Sequence, residues 1–199
     1  MMQEWIMQRM RNIVLASSSP RRRKLLESIG LKFTVDPPGI EEDMHQDVSP
    51  RGLVKRLAMQ KALAVVLRHD DAIVIAADTV VVLGAKAWSK PQSKREARAM
   101  LVALSGKVHD VWTGLCLIDA KTGKRHMRAE RARVWMRALT PKEIRAYIAT
   151  GEPLDAAGAY QLQGRGYALT ARIEGDINTI VGLPLATLLR DLRRFRVNP

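Results

Sequence analysis

The sequence predicts an α/β fold, a mixed twisted sheet flanked by helices with two lobes around a cleft. Three observations predict it. Short apolar runs of strand length alternate with segments of helical period along the chain. The run "AIVIAADTVVVL" at 72–83 is apolar on both faces, as a central strand covered on both sides has to be. "VWTGLCLID" and "MRAERARVWM", joined by the turn "AKTGK", read as a long β-hairpin, which brings antiparallel pairing into the sheet.

Taken in order, "NIVLAS" is a short apolar strand. Ser19 as N-cap and Pro20 at the first helical position open a helix with its stripe at Leu25, Leu26 and Ile29, and Gly30 lies just past its end. "KFTVD" reads as a strand that leads into the loop "PPGIEED". Ser49 and Pro50 start a second helix, with Val54, Ala58, Ala62 and Val65 on one face, running to about Arg68. Beyond the central strand and a turn at Gly84, "SKRE" at 93–96 reads as a capping box. The helix it opens carries Ala97, Met100, Leu101 and Leu104 and ends at Gly106. After the hairpin, "TPKE" at 140–143 caps a helix ending near Gly151. "AYQLQG" and "GYALTARI" read as glycine-punctuated strands, and a helix from about Pro184 to Arg194 closes the chain. No repeat or linker interrupts this series, so residues 12–199 read as one domain behind a short extension at 1–11.

Composition bounds the function. At 199 residues, 47% hydrophobic and 27% charged, the chain can bury a core without staples. Its one cysteine, Cys116, lies in an apolar run, which excludes a disulfide framework and fits a reducing, cytoplasmic setting. No apolar run reaches the ~18 residues of a membrane span, and the first residues lack the apolar core of a signal peptide. The net charge of +13 invites a polyanion. Aromatics make up only 5% and are scattered, no zinc-finger or RRM pattern exists, and the basic residues spread along the whole chain. This argues against a nucleic-acid partner and fits an anionic small-molecule substrate.

The stretch "LASSSPRRRKLLESIG" gathers phosphate-binding groups at a helix start. A helix N-terminus presents unpaired N–H groups and about half a positive charge. Ser17, Ser18 and Ser19 add hydroxyls, and Arg21 and Arg22 add guanidinium forks. The plain alternative is a capped helix with its arginines in solvent. Asp78 interrupts the apolar central run on the face of Val74 and Ala76 and is expected near the strand's exposed end. A buried carboxylate needs a partner, so Asp78 is a candidate general base or divalent-metal ligand, or a structural carboxylate held by an arginine. Glu41 and Glu42 form an acidic loop that could supply a second carboxylate to magnesium. Lys61, about 40° around its helix from Leu57, and Lys90 in "SKPQS" could reach phosphate or snorkel to solvent. His109 lacks metal-ligand spacing and receives no role.

Together "LASSSPRRRKLL", "GIEED", "LAMQKA", "AADTVV", "KPQSKREARAML", "LSGKVHDVWTG", "GAYQLQGRG" and "IVGLPL" resemble the Maf family of nucleoside triphosphate pyrophosphatases, from Asn12 to the last helix. Ser89 and Ile177 depart from residues common in that family, and the N-terminal extension lies outside its pattern. The resemblance implies a two-lobed fold similar to inosine-triphosphatase-like enzymes. It also implies hydrolysis between the α and β phosphates, assisted by magnesium or manganese. It makes Asp78 the proton acceptor and metal ligand, with Glu42 as second metal ligand. Ser17, Ser19, Arg21, Arg22, Lys61 and Lys90 would hold phosphate. Base preference would follow Arg21, Thr79 and Gln163, which match the branch acting on dTTP and UTP; a glutamine amide can complement the N3–H and carbonyl edge of thymine or uracil. Two alternatives stand beside this: 7-methyl-GTP hydrolysis within the same family, and a non-catalytic nucleic-acid-binding or division-regulating protein. The long hairpin also leaves room for a homodimer.

Overall fold

The computed structural model describes residues 11–41, 44 and 49–197. Its strands are β1 (Asn12–Leu15), β2 (Thr34–Val35), β3 (Ala72–Leu83), β4 (Lys86–Trp88), β5 (Val108–Asp119), β6 (Arg125–Met136) and β7 (Thr170–Glu174). Its α-helices are α1 (Pro20–Ser28), α2 (Pro50–Val66), α3 (Lys94–Leu104), α4 (Pro141–Ala149), α5 (Ile177–Val181) and α6 (Leu185–Leu192). The strands form one sheet in the order β2-β1-β3-β5-β6-β7, with β4 also on β3. β1 runs parallel to β2 and β3, and every other pairing is antiparallel. The expected mixed α/β sheet is therefore present.

The period of the sequence places the helices on both faces. Ile73, Ile75 and Ala77 of β3 pack with Leu25 and Leu26 of α1 and with Leu185, Leu188 and Leu192 of α6. Val74 and Ala76, pointing the other way, pack on Ala58, Ala62 and Val65 of α2. On the α1/α6 face a second cluster lies farther along the sheet, where Val81, Val111 and Val134 meet α3, α4, Tyr160 and Leu162. These two clusters on one face are the two lobes.

Most of the expected caps form. Ser49 accepts from Gly52 N at 3.2 Å, and Thr140 with Glu143 makes a reciprocal box. Ser93 accepts from Glu96 N, but Glu96 reaches one residue farther back than the expected box, to Gln92 N at 2.7 Å. Ser19 occupies the N-cap of α1 without a side-chain capping bond.

Two expected strands are corrected. "AYQLQG" is not a strand: Ala157–Ala159 is a 3-10 turn and 160–164 is irregular. "GYALTARI" is a 3-10 turn over Arg165–Leu169, and only Thr170 onward joins the sheet. Gly158 and Gly164 take positive φ, 66° and 144°, which breaks an extended run. Ala159, Tyr160, Leu162 and Leu169 of this segment then turn into the α3/α4 cluster instead of alternating across a sheet, while Tyr167 stays exposed. β4 and α5 were not expected, since three and five residues are too short to show a period.

The topology opens one gap. β1 pairs with β3 only as far as Leu15 opposite Ile75, and β4 begins opposite Val81. Residues 76–80 of β3 therefore have a strand on the β5 side and none on the other. This gap lies at the carboxyl end of the parallel strand β1, where open α/β sheets bind ligands.

Candidate active site

A cavity of about 300 Å³ fills the gap. Its floor is Asp78 and Thr79 of β3; its walls are the 17–22 segment, the 37–40 loop after β2, and the 156–162 segment of the second lobe. Ser17, Ser18, Ser19, Arg21, Arg22, Lys61, Asp78, Thr79 and Lys90 all line it. Gln163 does not: it is exposed, and Gln161 takes a place in the wall instead. Glu42 lies outside the described residues, and Glu41 is exposed and not in the wall.

Asp78 is the seventh residue of a twelve-residue strand and only 3% exposed, so it sits mid-strand and not near an exposed end. Its carboxylate is ion-paired with Lys61 Nζ from α2. Lys61 is itself buried, which excludes the snorkelling alternative for this side chain. The approach of α2 is set by Gly114, which pairs with Asp78 across the sheet. A Cβ there would lie 2.0 Å from Val54 O, so only glycine lets the helix backbone come this close.

Thr79 points to the opposite face and heads a polarised chain. Thr113 Oγ1 donates to Thr179 O at 2.6 Å, so the 2.9 Å contact between the two hydroxyls requires Thr79 to donate to Thr113. Thr79 Oγ1 in turn accepts from Arg22 Nη2 at 3.2 Å. Arg22 also donates to Gly182 O at 2.8 Å and to Ser17 Oγ at 3.3 Å. The arginine that joins Thr79 is therefore Arg22, while Arg21 crosses to the other lobe.

Arg21 Nη1 donates to Asp155 Oδ2 at 2.8 Å and to Gln161 Oε1 at 2.9 Å, and its Nη2 donates to Asp155 O. Asp155 Oδ1 accepts from Lys90 Nζ at 2.5 Å. Burial raises the Asp155 pKa, but Lys90 and Arg21 outweigh it and hold the carboxyl below its ordinary value. Asp155, Gln161 and Tyr160 escaped the sequence reading. Their segment carries no period, and its only signals are the glycines and an isolated acid.

Behind the wall, Tyr160 Oη is 2.8 Å from His109 Nε2, both buried. Burial pushes the imidazole down to about 4, against the pull of Asp110, so the ring is neutral near pH 7. The Tyr160 hydroxyl is pushed well up by burial and stays protonated. His109 thus steadies a cavity-wall residue.

Among the described residues no three acidic, histidine or cysteine side chains gather to hold a metal. Asp78 is the carboxylate in the cavity wall. That donor set fits magnesium or manganese, which bind through one or two carboxylates and take their remaining ligands from substrate phosphate and water.

Known proteins resemble this chain closely. The dTTP/UTP pyrophosphatase of Moorella thermoacetica is 47% identical over 189 residues, 95% of this chain and 97% of that protein. The protein of the same name from Bacillus anthracis is 44% identical over 95% of this chain and 98% of its own length. In structure, the Staphylococcus aureus Ham1 protein covers 92% of this chain and 98% of its own, with a TM-score of 0.52 at 12% identity. A HAM1 protein from Coxiella burnetii covers 92% and 100%, also with a TM-score of 0.52, at 13% identity. These two show the shared fold. The model of the Maf-like protein family matches residues 12–195, nearly the full described length, and the chain belongs to that family.

Proposed function

We propose that this protein hydrolyses dTTP and UTP to the nucleoside monophosphate and pyrophosphate, in one catalytic domain from residue 12 onward. The observation that carries the reading is the convergence of Asp78, Lys61, Thr79 and the arginine-bearing start of α1 on one cavity, in a family member 44–47% identical to proteins named dTTP/UTP pyrophosphatase.

In this reading the triphosphate lies along the start of α1, where backbone N–H groups, Ser17, Ser19 and Arg22 offer donors. Lys61 fixes the orientation of the Asp78 carboxylate. Asp78 orients a water and takes its proton as the water oxygen bonds to the α-phosphorus; the bond to the α–β bridging oxygen breaks, and pyrophosphate leaves. When bound at Asp78, with Glu42 as a second candidate ligand, magnesium or manganese supplies charge neutralisation at the phosphate oxygens. Val111, Tyr160 and Leu162 supply part of the apolar lining of the cavity. The polarised Thr79 hydroxyl, with one hydrogen committed to Thr113, can only accept from a ligand. Arg21 and Thr79 line the cavity and Gln163 does not, so the test of base choice has to read the substrate directly. No helix among the described residues is long and apolar enough to cross a membrane, and a nucleotide substrate fits a cytoplasmic enzyme.

The test is pyrophosphate release from dTTP, UTP, CTP, GTP and 7-methyl-GTP with magnesium, wild type beside Asp78→Asn. The expected outcome is preferred turnover of dTTP and UTP, lowered by about 10²–10⁴-fold in the variant. Preference for 7-methyl-GTP would keep the reaction and overturn the base assignment. A folded variant with wild-type turnover would remove Asp78 from the chemistry.

A further inference from the structure

Arg21, a cavity-lining cation, is not held by its own lobe. Arg21 projects from α1, whose apolar side packs in the α1/α6 cluster, whereas Asp155 lies in a 3-10 turn (Glu152–Asp155) set against α3 and α4. Asp155 gives Arg21 both its carboxylate and its backbone carbonyl, and gives Lys90 the other carboxylate oxygen. One side chain, about half exposed, thereby ties two cavity-lining cations of separate segments across the mouth of the cavity.

A guanidinium has five N–H donors, and three bonds already direct this one: two to Asp155 and one to Gln161. Its remaining donors are aimed by those three. Lys90 is a point charge on a four-carbon stem and nearly half exposed, so without a partner it would sample many rotamers. The segment that carries Asp155 is anchored in its turn: Tyr147 Oη accepts from Gln161 N at 3.2 Å, and Tyr160 is braced by His109. The arrangement is a fixed second-lobe carboxylate that sets the direction of two cations belonging to the first wall and to the loop after β4.

We propose that Asp155 is a positioning residue for polyphosphate binding, a cross-cleft strut that pre-orients Arg21 and Lys90. It touches neither the reacting water nor the phosphorus, and acts through those two cations. The proposal rests on the nucleotide-hydrolysis reading only for its kinetic readout. A competing physical effect has the opposite sign: the carboxylate also cancels positive charge, so if it merely occupied the anion site its removal would tighten binding.

The experiment compares wild type with Asp155→Asn, Asp155→Ala and Asp155→Glu. Steady-state pyrophosphate release from dTTP is measured, and binding of inorganic tripolyphosphate is followed by calorimetry, with thermal unfolding to show that each variant is folded. The expected result is a rise in KM of about tenfold or more for the Asn and Ala variants, with kcat changed much less. Tripolyphosphate affinity should fall in parallel and recover in part with Glu. Unchanged or lower KM, or a loss confined to kcat, would overturn the proposal. If wild type releases no pyrophosphate, the hydrolysis reading fails, and tripolyphosphate affinity alone decides the strut: a weaker Asn variant supports it, and an equal or tighter one overturns it.

Discussion

At the scale of single residues, some buried polar groups face the cavity, as Ser17, Ser19, Lys61 and Asp78 do, and others support its wall. His109 belongs to the second kind. Its imidazole is held neutral by burial, with a pKa of about 4 in the folded chain against an ordinary value near 6.5. The folded state therefore binds this proton less readily than the unfolded one. The contribution is fully present above about pH 6.5 and is lost progressively as pH falls toward 4, with a magnitude of about 3 kcal/mol. Urea unfolding between pH 7 and pH 4 should show this slope in wild type, and His109→Gln should flatten it. Equal slopes in both proteins would mean that other groups carry the acid sensitivity. Spacing gave His109 no role because its partner Tyr160 lies 51 positions away, and only folding brings the two rings together.

At the scale of elements, the meeting of α2 with the β3–β5 pair determines where Lys61 ends up. α2 packs on both strands with small residues, Ala58 and Ala62, facing Ala76 and Cys116. Opposite Asp78, where α2 begins to cross β5, the sheet offers Gly114 and no side chain at all. Gly114→Ala would drive a methyl group into the Val54 carbonyl, which is backbone and cannot rotate aside. The expected cost is about 3 kcal/mol, the upper range for overpacking, with a loss of activity beyond what stability explains because Lys61 is carried away from Asp78. Chemical unfolding together with turnover of the folded fraction would check it; a stable, fully active variant would show that the helix can slide at no cost. Helix starts were legible in the sequence because capping is local: Ser49, Ser93 and Thr140 each stand three residues from the group they bond. The 156–169 segment was not legible, because its conformation comes from glycines at positive φ and from burial under α3 and α4, neither of which produces a period.

At the scale of the whole molecule, positive charge gathers where the hairpin tip meets the end of α6. The tip of the β5–β6 hairpin meets α6 and the turn after it, with Lys124 Nζ donating to Arg194 O at 2.8 Å. Asp191, fully buried, lies within 3.3–3.5 Å of groups on His126, Arg128 and Arg194. Around this one carboxylate Arg190, Arg193, Arg194 and Arg196 stand exposed. A molecule with a net charge of +13 repels itself, and that repulsion is screened once the Debye length falls from about 30 Å at 0.01 M salt to about 8 Å at 0.15 M. The melting temperature should therefore rise as sodium chloride is raised from 10 mM to 150 mM. A fall over that range would mean that the surface ion pairs outweigh the repulsion.

The sequence by itself determined the fold class, the placement of α1 to α4 and α6, the long hairpin, and most of the polar residues that line the cavity. The elements follow from period, capping and turn chemistry, which act over a few neighbouring positions, and the cavity residues from local composition together with the family resemblance. Tertiary structure decided the rest. It set Asp78 in mid-strand against Lys61, joined Thr79 to Arg22, and put Gln161 in the cavity wall while Gln163 stays exposed. It also joined Arg21 to Asp155, 134 positions away. The reason is that the site lies in the gap that β1 and β4 leave on the edge of β3, and a gap between strands belongs to the pairing of distant segments and to no single stretch of chain.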